Sequence, residues 1–327
     1  MGEKSVNTVD SLSIIIPVYN SAATLDTLVS RLTDALEDIG IPYEIILVND
    51  GSRDASWERI VALSQMYKRL RGINLMRNYG QHNALLCGIR TARSEIIVTM
   101  DDDLQHPPEE IPHLLDKLAE GYDVVYGTPR TLPHSLWRNV LSKYTKWAVA
   151  SAMGIHGIRD INAFRAFRTD LRKAFDNYQS PNVLLDVLLS WGTTRFVAIK
   201  VNQAPRQMGR SSYTFAKLFN QAMLVLTGYS TTPLRLASMI GFAVMFFSIL
   251  LVVYVVAQSF LVGALPGFPF LASIIALFSG VQLFALGIIG EYLARIFNRS
   301  MDRPTYVISR RVEQVIEFAE EMEAVND

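Results

Sequence analysis

The sequence predicts an α/β fold, a Rossmann-like, mainly parallel sheet, followed by a C-terminal hairpin of two transmembrane helices. From Leu12 to about Gly127, short apolar runs alternate with amphipathic stretches. That is the pattern of βαβ units, whose strands form a parallel sheet through right-handed crossovers. The apolar runs are nearly continuous, as expected of strands covered on both faces. Finally, 55 residues between Arg235 and Glu291 carry no charged side chain, whereas one span of the hydrocarbon layer takes only ~20 helical residues.

The expected strands are Leu12–Val18, Glu44–Val48, Gly72–Met76, Ile96–Met100 and Asp123–Tyr126. Between the first two, Leu25, Leu28, Val29, Leu32 and Leu36 recur at helical spacing. After Gly127 the alternation breaks down. Ser135–Met153 places Trp137, Leu141, Tyr144 and Ala148 on one face, with Arg138, Lys143 and Lys146 nearby. It reads equally as an interfacial helix on an anionic membrane surface or as a core-facing amphipathic helix. Phe215–Leu226 is a second segment of this kind. The hairpin follows, with apolar Leu236–Val262, a turn at Gly263–Pro269 and apolar Phe270–Gly290; a buried soluble hairpin is the alternative. Lys217 and Arg235 precede it, Arg295, Arg299 and Arg303 follow, and the turn is neutral. The positive-inside rule then predicts a multi-pass cell-membrane protein with both larger portions cytoplasmic. Thr305–Ile308 reads as a short strand and Val312–Val325 as an acidic helix. The expected organisation is residues 1–230 as the cytoplasmic domain, 231–295 as the two spans and 296–327 as a cytoplasmic tail.

Composition excludes several function classes. Lys+Arg and Asp+Glu both total 31, so bulk charge offers nothing to a nucleic acid. The single cysteine, Cys87, permits no intrachain disulfide and no Cys-rich zinc site; its apolar neighbours predict a buried, inert thiol. The N-terminal MGEKSVNTVDS lacks the apolar core of a signal peptide. No G-x-G-x-x-G follows the first strand and no Walker loop occurs, which argues against dinucleotide oxidoreductases and P-loop enzymes. The five histidines have no zinc-ligand spacing, and no Ser-His-Asp arrangement stands out.

Chemistry concentrates at the expected carboxyl ends of the strands, where open α/β sheets bind ligands. There stand Pro17-Val-Tyr-Asn20, Asn49-Asp-Gly-Ser52, Arg77-Asn-Tyr-Gly80 and Asp101-Asp-Asp103. Asp101 and Asp103 can bring their carboxylates together on a turning backbone, with Gln105 adding an amide oxygen. Mg²⁺ and Mn²⁺ favour such oxygen ligands and often use one or two carboxylates plus substrate phosphates. The same run also reads as a helix start, with Pro107-Pro108 and Glu109-Glu110 opening the next helix.

Taken in order, Pro17-x-Tyr19-Asn20, Asn49-Asp50-Gly51-Ser52, Asp101-x-Asp103-Leu104-Gln105-x-Pro107-Pro108-Glu109, Gly127-Thr-Pro-Arg130 and Arg206-x-x-Gly209-x-Ser-Ser212-Tyr213 resemble the inverting family 2 glycosyltransferases with a GT-A-type domain. The hairpin after Arg206 narrows the resemblance to polyprenyl-phosphate glycosyltransferases. Arg77-Asn-Tyr-Gly-Gln-His82 together with Leu104–Pro112 is similar to undecaprenyl-phosphate 4-deoxy-4-formamido-L-arabinose transferases; bactoprenol glucosyltransferases share most of the pattern.

The resemblance implies transfer of a sugar from a nucleotide diphosphate sugar to the phosphate of a polyprenyl lipid, for envelope glycans or lipid A modification. UDP is the implied nucleotide, with GDP, as in dolichol-phosphate mannose synthases, the alternative. A non-catalytic sugar-nucleotide-binding scaffold is a reading from another class. Carried over by position, Pro17, Tyr19, Asn20 and Asp50 hold the nucleoside, with Asp101 and Asp102 beside it. Asp101, Asp103 and Gln105 bind Mg²⁺ or Mn²⁺ and the diphosphate. Arg130, Arg206, Ser212 and Tyr213 face phosphates, and Asp160 matches an acidic residue treated as catalytic. Thus Asp103, Asp160 and Arg206 are the expected catalytic set, and a homo-oligomer, in related enzymes a tetramer, is implied. Two positions depart from the family pattern: Ser21 stands where Glu is usual, and Asp102 where Ala is common.

Overall fold

The computed structural model describes residues 11–130, 161–203, 232–262 and 267–314. They divide into two compact units, one comprising residues up to Leu218 together with those from Arg303, the other running from Phe219 to Asp302.

The first unit is built on an eight-stranded sheet of order β7-β5-β6-β4-β1-β2-β3-β8. Its strands are β1 (Leu12–Val18), β2 (Tyr43–Asn49), β3 (Leu70–Leu75), β4 (Ile96–Thr99), β5 (Val124–Pro129), β6 (Arg165–Arg168), β7 (Phe196–Val201) and β8 (Ile308–Val312). Pairings β1–β2, β1–β4, β2–β3 and β5–β7 are parallel, and those of β6 and of β8 are antiparallel. The helices are α1 (Leu25–Ile39), α2 (Ser56–Met66), α3 (Gln81–Thr91), α4 (Ile111–Ala119) and α5 (Leu185–Gly192).

The predicted helical stripe is the buried face of α1, whose Leu25, Leu28, Val29, Leu32 and Leu36 pack into the core with Ile14 and Ile16 of β1 and Ile45 and Leu47 of β2. Every residue of β1 and β2 is buried, as a sheet covered on both faces requires. This includes Glu44, which is offset by a hydrogen bond from Ser13 Oγ (2.6 Å), one from the Arg93 amide (2.7 Å) and an ion pair with Arg71 Nη1 (2.6 Å). A buried carboxylate is tolerated only when paired and hydrogen-bonded in this way.

The last strand lies later than expected, at Ile308–Val312 instead of Thr305–Ile308. Its Ser-Arg-Arg interior hides the strand periodicity, and an edge position admits such charges. Arg71 also pairs with Glu313 (2.8 Å), just beyond β8. Strands β6 and β7 were not expected: β6 contains two arginines, and β7 is only partly buried.

The second unit contains α6 (Thr232–Val262) and α7 (Phe268–Ser300), which pack against one another. Two stretches, Leu234–Val255 and Leu277–Ser300, are long and apolar enough to cross a membrane. Apolar side chains such as Phe242 (68% exposed) and Leu283 (68% exposed) remain uncovered, unlike those of a soluble core. Helix α7 starts at Phe268, earlier than the predicted Phe270, because Pro269 lies in its first turn, where no amide is needed. Residues 135–153 and 215–226, which hold both interfacial-helix candidates, lie outside the described residues, as does most of the expected acidic helix.

Candidate active site

The four strand-end clusters meet at one cavity. Strands β1, β2, β3 and β4 run parallel in adjacent positions, so their carboxyl ends share one rim. A cavity of about 250 Å³ there is lined by residues of all four clusters: Pro17, Val18 and Tyr19, then Asp50, then Asn78, Gly80 and Gln81, then Asp101, Asp102 and Asp103.

Asp50 is the buried element of this wall, 3% exposed. It accepts hydrogen bonds from the amides of Tyr79 (2.7 Å) and Gly80 (2.8 Å), fixing the loop after β3 against that after β2. Burial raises its carboxyl above the usual range, and these two amides oppose the rise. Gly51 makes the approach feasible. Its φ is +64°, and a Cβ there would collide with the Arg77–Asn78 peptide. Arg77 lies 4.4 Å from the Tyr79 ring centroid, a cation–π contact that shapes the same loop.

Asn20 ties the first two loops together and does not line the cavity. It has φ +55°; its amide donates to Ser52 Oγ (3.0 Å), and its Oδ1 accepts from the Arg53 amide (2.8 Å). A left-handed backbone is tolerated at Asn more readily than at most residues. Tyr19 is 45% exposed beside the cavity.

The three aspartates each have a donor of their own. Asp101 Oδ1 accepts from Gln81 Nε2 (2.7 Å). Asp102 Oδ2 accepts from the Tyr19 amide (3.2 Å), and the Ser21 hydroxyl beside it donates to the Tyr19 carbonyl (3.2 Å). Asp103 Oδ1 accepts from the Gln105 amide (3.1 Å). Burial, together with the charges of Asp101 and Asp103, pushes Asp102 up to about 6 against the pull of Ser21 and Tyr19. The turn is closed by Leu104, buried with φ +61°.

Among the described residues no three His, Cys, Asp or Glu side chains form a complete metal cage. Two partly buried carboxylates on the wall of an open cavity nevertheless suit Mg²⁺ or Mn²⁺, which commonly complete their shells with water and substrate phosphates. Beyond the turn, Pro108–Glu110 forms a 3₁₀ turn that leads into α4, so the helix-start reading also holds.

Arg130 is exposed immediately after β5. Asp160, Arg206, Ser212 and Tyr213 lie outside the described residues.

The sequence reading passed over several groups around this site. Gln81 lines the cavity beside Asn78 and Gly80 of the third cluster, and its position directly after that cluster was the available signal. His106 is 3% exposed and stacks on Phe164, ring centroids 5.3 Å apart. Glu110 is 5% exposed and accepts from Asn202 Nδ2 (2.6 Å) and the Asn202 amide (3.2 Å). Arg165 and Asp186 form a buried ion pair below the sheet end, with Tyr126 Oη donating to Asp186 Oδ1 (2.9 Å). These depend on contacts between distant segments and have no local pattern. Cys87 is buried as expected, and burial pushes its thiol up to about 12.

Known proteins resemble the chain at three levels. The model of the family described as "Glycosyl transferase family 2" matches residues 13–185, a range that contains all four strand-end clusters. An undecaprenyl-phosphate 4-deoxy-4-formamido-L-arabinose transferase of Pectobacterium carotovorum subsp. carotovorum is 35% identical over 312 residues, covering 94% of this chain and 95% of that protein. The protein of the same name from Shewanella sediminis is 37% identical over 306 residues, 92% of each. A crystal structure of a mycobacterial protein superposes with TM-score 0.51 at 18% identity, covering 67% of this chain and 73% of the other; this likeness shows a shared fold. With the family model covering the sheet and its rim, and relatives of this identity covering nearly the whole chain, the protein belongs to glycosyl transferase family 2.

Proposed function

We propose that this glycosyltransferase moves a sugar from a UDP-sugar to undecaprenyl phosphate at the cytoplasmic face of the membrane. The observation that carries the reading is the single cavity into which all four strand-end clusters deliver residues, with a buried Asp50 at one wall and the Asp101–Asp103 carboxylates at another. The relatives named above supply the acceptor class, and their sugar, 4-deoxy-4-formamido-L-arabinose, is the first donor sugar to test. The apolar helices α6 and α7 anchor the chain in the bilayer that holds such an acceptor.

In the reaction, the anomeric C–O bond to the nucleoside diphosphate breaks. A new bond from the anomeric carbon to an acceptor phosphate oxygen forms on the opposite face, and UDP leaves with the electron pair. Asp50 and the loops it joins hold the nucleoside beside Pro17 and Tyr19. Asp101 and Asp103, with Gln105, would hold a divalent cation, and such a cation would supply neutralisation of the charge developing on the diphosphate. Arg130 and Arg206 pair phosphate oxygens through their planar guanidinium groups, with Ser212 and Tyr213 alongside Arg206. The acceptor phosphate is already anionic near neutral pH, so Asp160 orients the acceptor or sugar and need not remove a proton.

The test incubates purified protein with undecaprenyl phosphate, Mn²⁺ or Mg²⁺ and a panel of labelled nucleotide sugars that includes the UDP-linked formamido sugar. Labelled lipid from one donor is the expected result. Absence of transfer from every donor, with nucleotide binding intact, would leave only a binding scaffold.

A further inference from the structure

The motif loop that follows the aspartates also grips the strand β7 exit, through two buried side chains four residues apart. Glu110 takes both the side-chain and main-chain N–H groups of Asn202. His106 Nε2 lies 3.3 Å from Gln203 Nε2 and 3.5 Å from Asn162 Nδ2. The Asn162 amide is oriented independently of the histidine: Nδ2 donates to the Gly127 carbonyl (2.7 Å), and Oδ1 accepts from the Ala163 amide (2.8 Å). A donor therefore faces Nε2, which must act as an acceptor, so the ring proton of neutral His106 sits on Nδ1.

That Nδ1 is buried and has no hydrogen-bond partner among the described residues. An unpaired buried donor is unfavourable, and a Phe or Leu would fill the space against Phe164 without it. What only the imidazole provides here is the acceptor nitrogen. The two residues around that nitrogen flank the candidate catalytic segments, Asn162 two positions after Asp160 and Gln203 three before Arg206. His106 itself follows Gln105 directly.

We infer that His106, supported by Glu110, is a positioning residue that holds Asn162 and the β7 exit at Asn202 and Gln203 in register with the Asp101–Gln105 loop. This rests on the function proposed above, because it concerns alignment of the acceptor side of the site with the metal and diphosphate side. His106 touches neither substrate in this scheme. It acts through Asn162 and Gln203, the two residues that face its Nε2.

Three proteins separate this role from plain packing: wild type, His106→Ala and His106→Gln. Gln can return an acceptor oxygen to the region of Nε2, and Ala cannot. With the formamido sugar donor, His106→Ala is expected to lower kcat by about 10- to 100-fold, the effect of misplacing reacting groups by an ångström. Its affinity for UDP with Mn²⁺ stays at the wild-type value, and His106→Gln recovers most of the rate. Solid-state ¹⁵N spectra of histidine-labelled full-length protein in lipid, with His106→Gln assigning the signal, should show a neutral ring protonated at Nδ1. A kcat for His106→Ala within twofold of wild type, no recovery in His106→Gln, or a ring protonated at Nε2 would each overturn the inference. If wild type itself transfers no sugar, the proposed reaction fails, while the ¹⁵N spectrum still decides the arrangement around His106.

Discussion

Replacing Asp186 with Asn removes one charge from a pair that has almost no access to water. The side chains of Arg165 and Asp186 are 2% and 7% exposed. The guanidinium has other partners, since Nε donates to Thr99 Oγ1 (3.2 Å), but that oxygen is neutral and cannot balance its charge. Asn keeps an oxygen for the Tyr126 hydroxyl and loses the compensation for Arg165. Breaking a buried pair from one side costs roughly 3–5 kcal/mol, because the remaining charge is left in a poor solvent. For a unit of about 200 residues, each kcal/mol lowers Tm by about 2–4 °C. The expected drop for Asp186→Asn is thus about 6–20 °C. Tryptophan fluorescence in detergent reads it cleanly, because Trp57, Trp137, Trp147 and Trp191, the four in the chain, all lie outside the two apolar helices. The double variant Arg165→Met/Asp186→Leu should melt closer to wild type than the single one, since replacing both charges removes the desolvation penalty. A drop below about 2 °C for the single variant would refute the reasoning, because it would mean that water or another carboxylate compensates Arg165.

Asp103→Asn should abolish transfer while leaving the fluorescence Tm unchanged; near-normal turnover removes the metal role from that carboxylate. Gly51→Ala forces a Cβ into the Arg77–Asn78 peptide at a φ of +64°, so a loss of about 1–3 kcal/mol is expected, together with weaker UDP binding by calorimetry; wild-type values for both would contradict the close approach. Burial, with Arg165 adding to it against the pull of Asp186, holds His82 down to about 4. The unfolded chain therefore takes up this proton first, so stability is fully present above pH ~6.5 and falls as pH drops from there through about 4, by roughly 3 kcal/mol in total. His82 Nδ1 accepts from the Leu185 amide (3.4 Å), so His82→Asn keeps an acceptor and should flatten that acid slope in denaturant melts; an unchanged slope places the titration elsewhere.

The legible part of this fold was the part dictated by local pattern. Strands β1 and β2 announce themselves as continuous apolar runs because both faces are covered, and α1 shows its stripe because one face is not. The cavity was legible too, since a parallel arrangement of β1, β2, β3 and β4 obliges their carboxyl ends, with Tyr19, Asp50, Asn78 and Asp101, to converge. Strands β6 and β8 were hidden by their arginines, and the charges at both depend on partners outside the strand's own local pattern. Arg165 of β6 needs Asp186, and Arg310 and Arg311 of β8 sit on a sheet edge paired to β3, whose Arg71 binds Glu44 and Glu313. The double duty of His106 and Glu110 was likewise invisible. A proline-rich helix start explains Pro107 to Glu110 completely at the local level, and only Asn202 and Gln203, more than ninety residues on, reveal the second role.

Ser21 and Asp102, the two positions at which the resemblance implies other residues, both bond to Tyr19, and this makes sense of both. Asp102 accepts from the Tyr19 amide, and the Ser21 hydroxyl donates to the Tyr19 carbonyl, so the third aspartate is occupied in holding the loop after β1 and leaves Asp101 and Asp103 for the proposed cation. A Glu at 21 would instead set a second carboxylate beside Asp102. At about 4 Å and the effective dielectric of a protein surface, two such charges repel by about 4 kcal/mol. The Glu and Ala that the resemblance implies at 21 and 102 are thus compatible with one another, as are Ser and Asp. Ser21→Glu alone should therefore weaken UDP binding with Mn²⁺ sharply. Asp102→Ala alone should do so mildly, since the Tyr19 amide belongs to a residue 45% exposed and can turn to water. The double variant, which removes the second carboxylate, should bind better than Ser21→Glu alone. Calorimetric titration of the four proteins closes the cycle, and neighbours coupled in this way should show about 1 kcal/mol or more of non-additivity. Purely additive losses would mean that the two positions vary independently and that Asp102 serves the nucleotide directly.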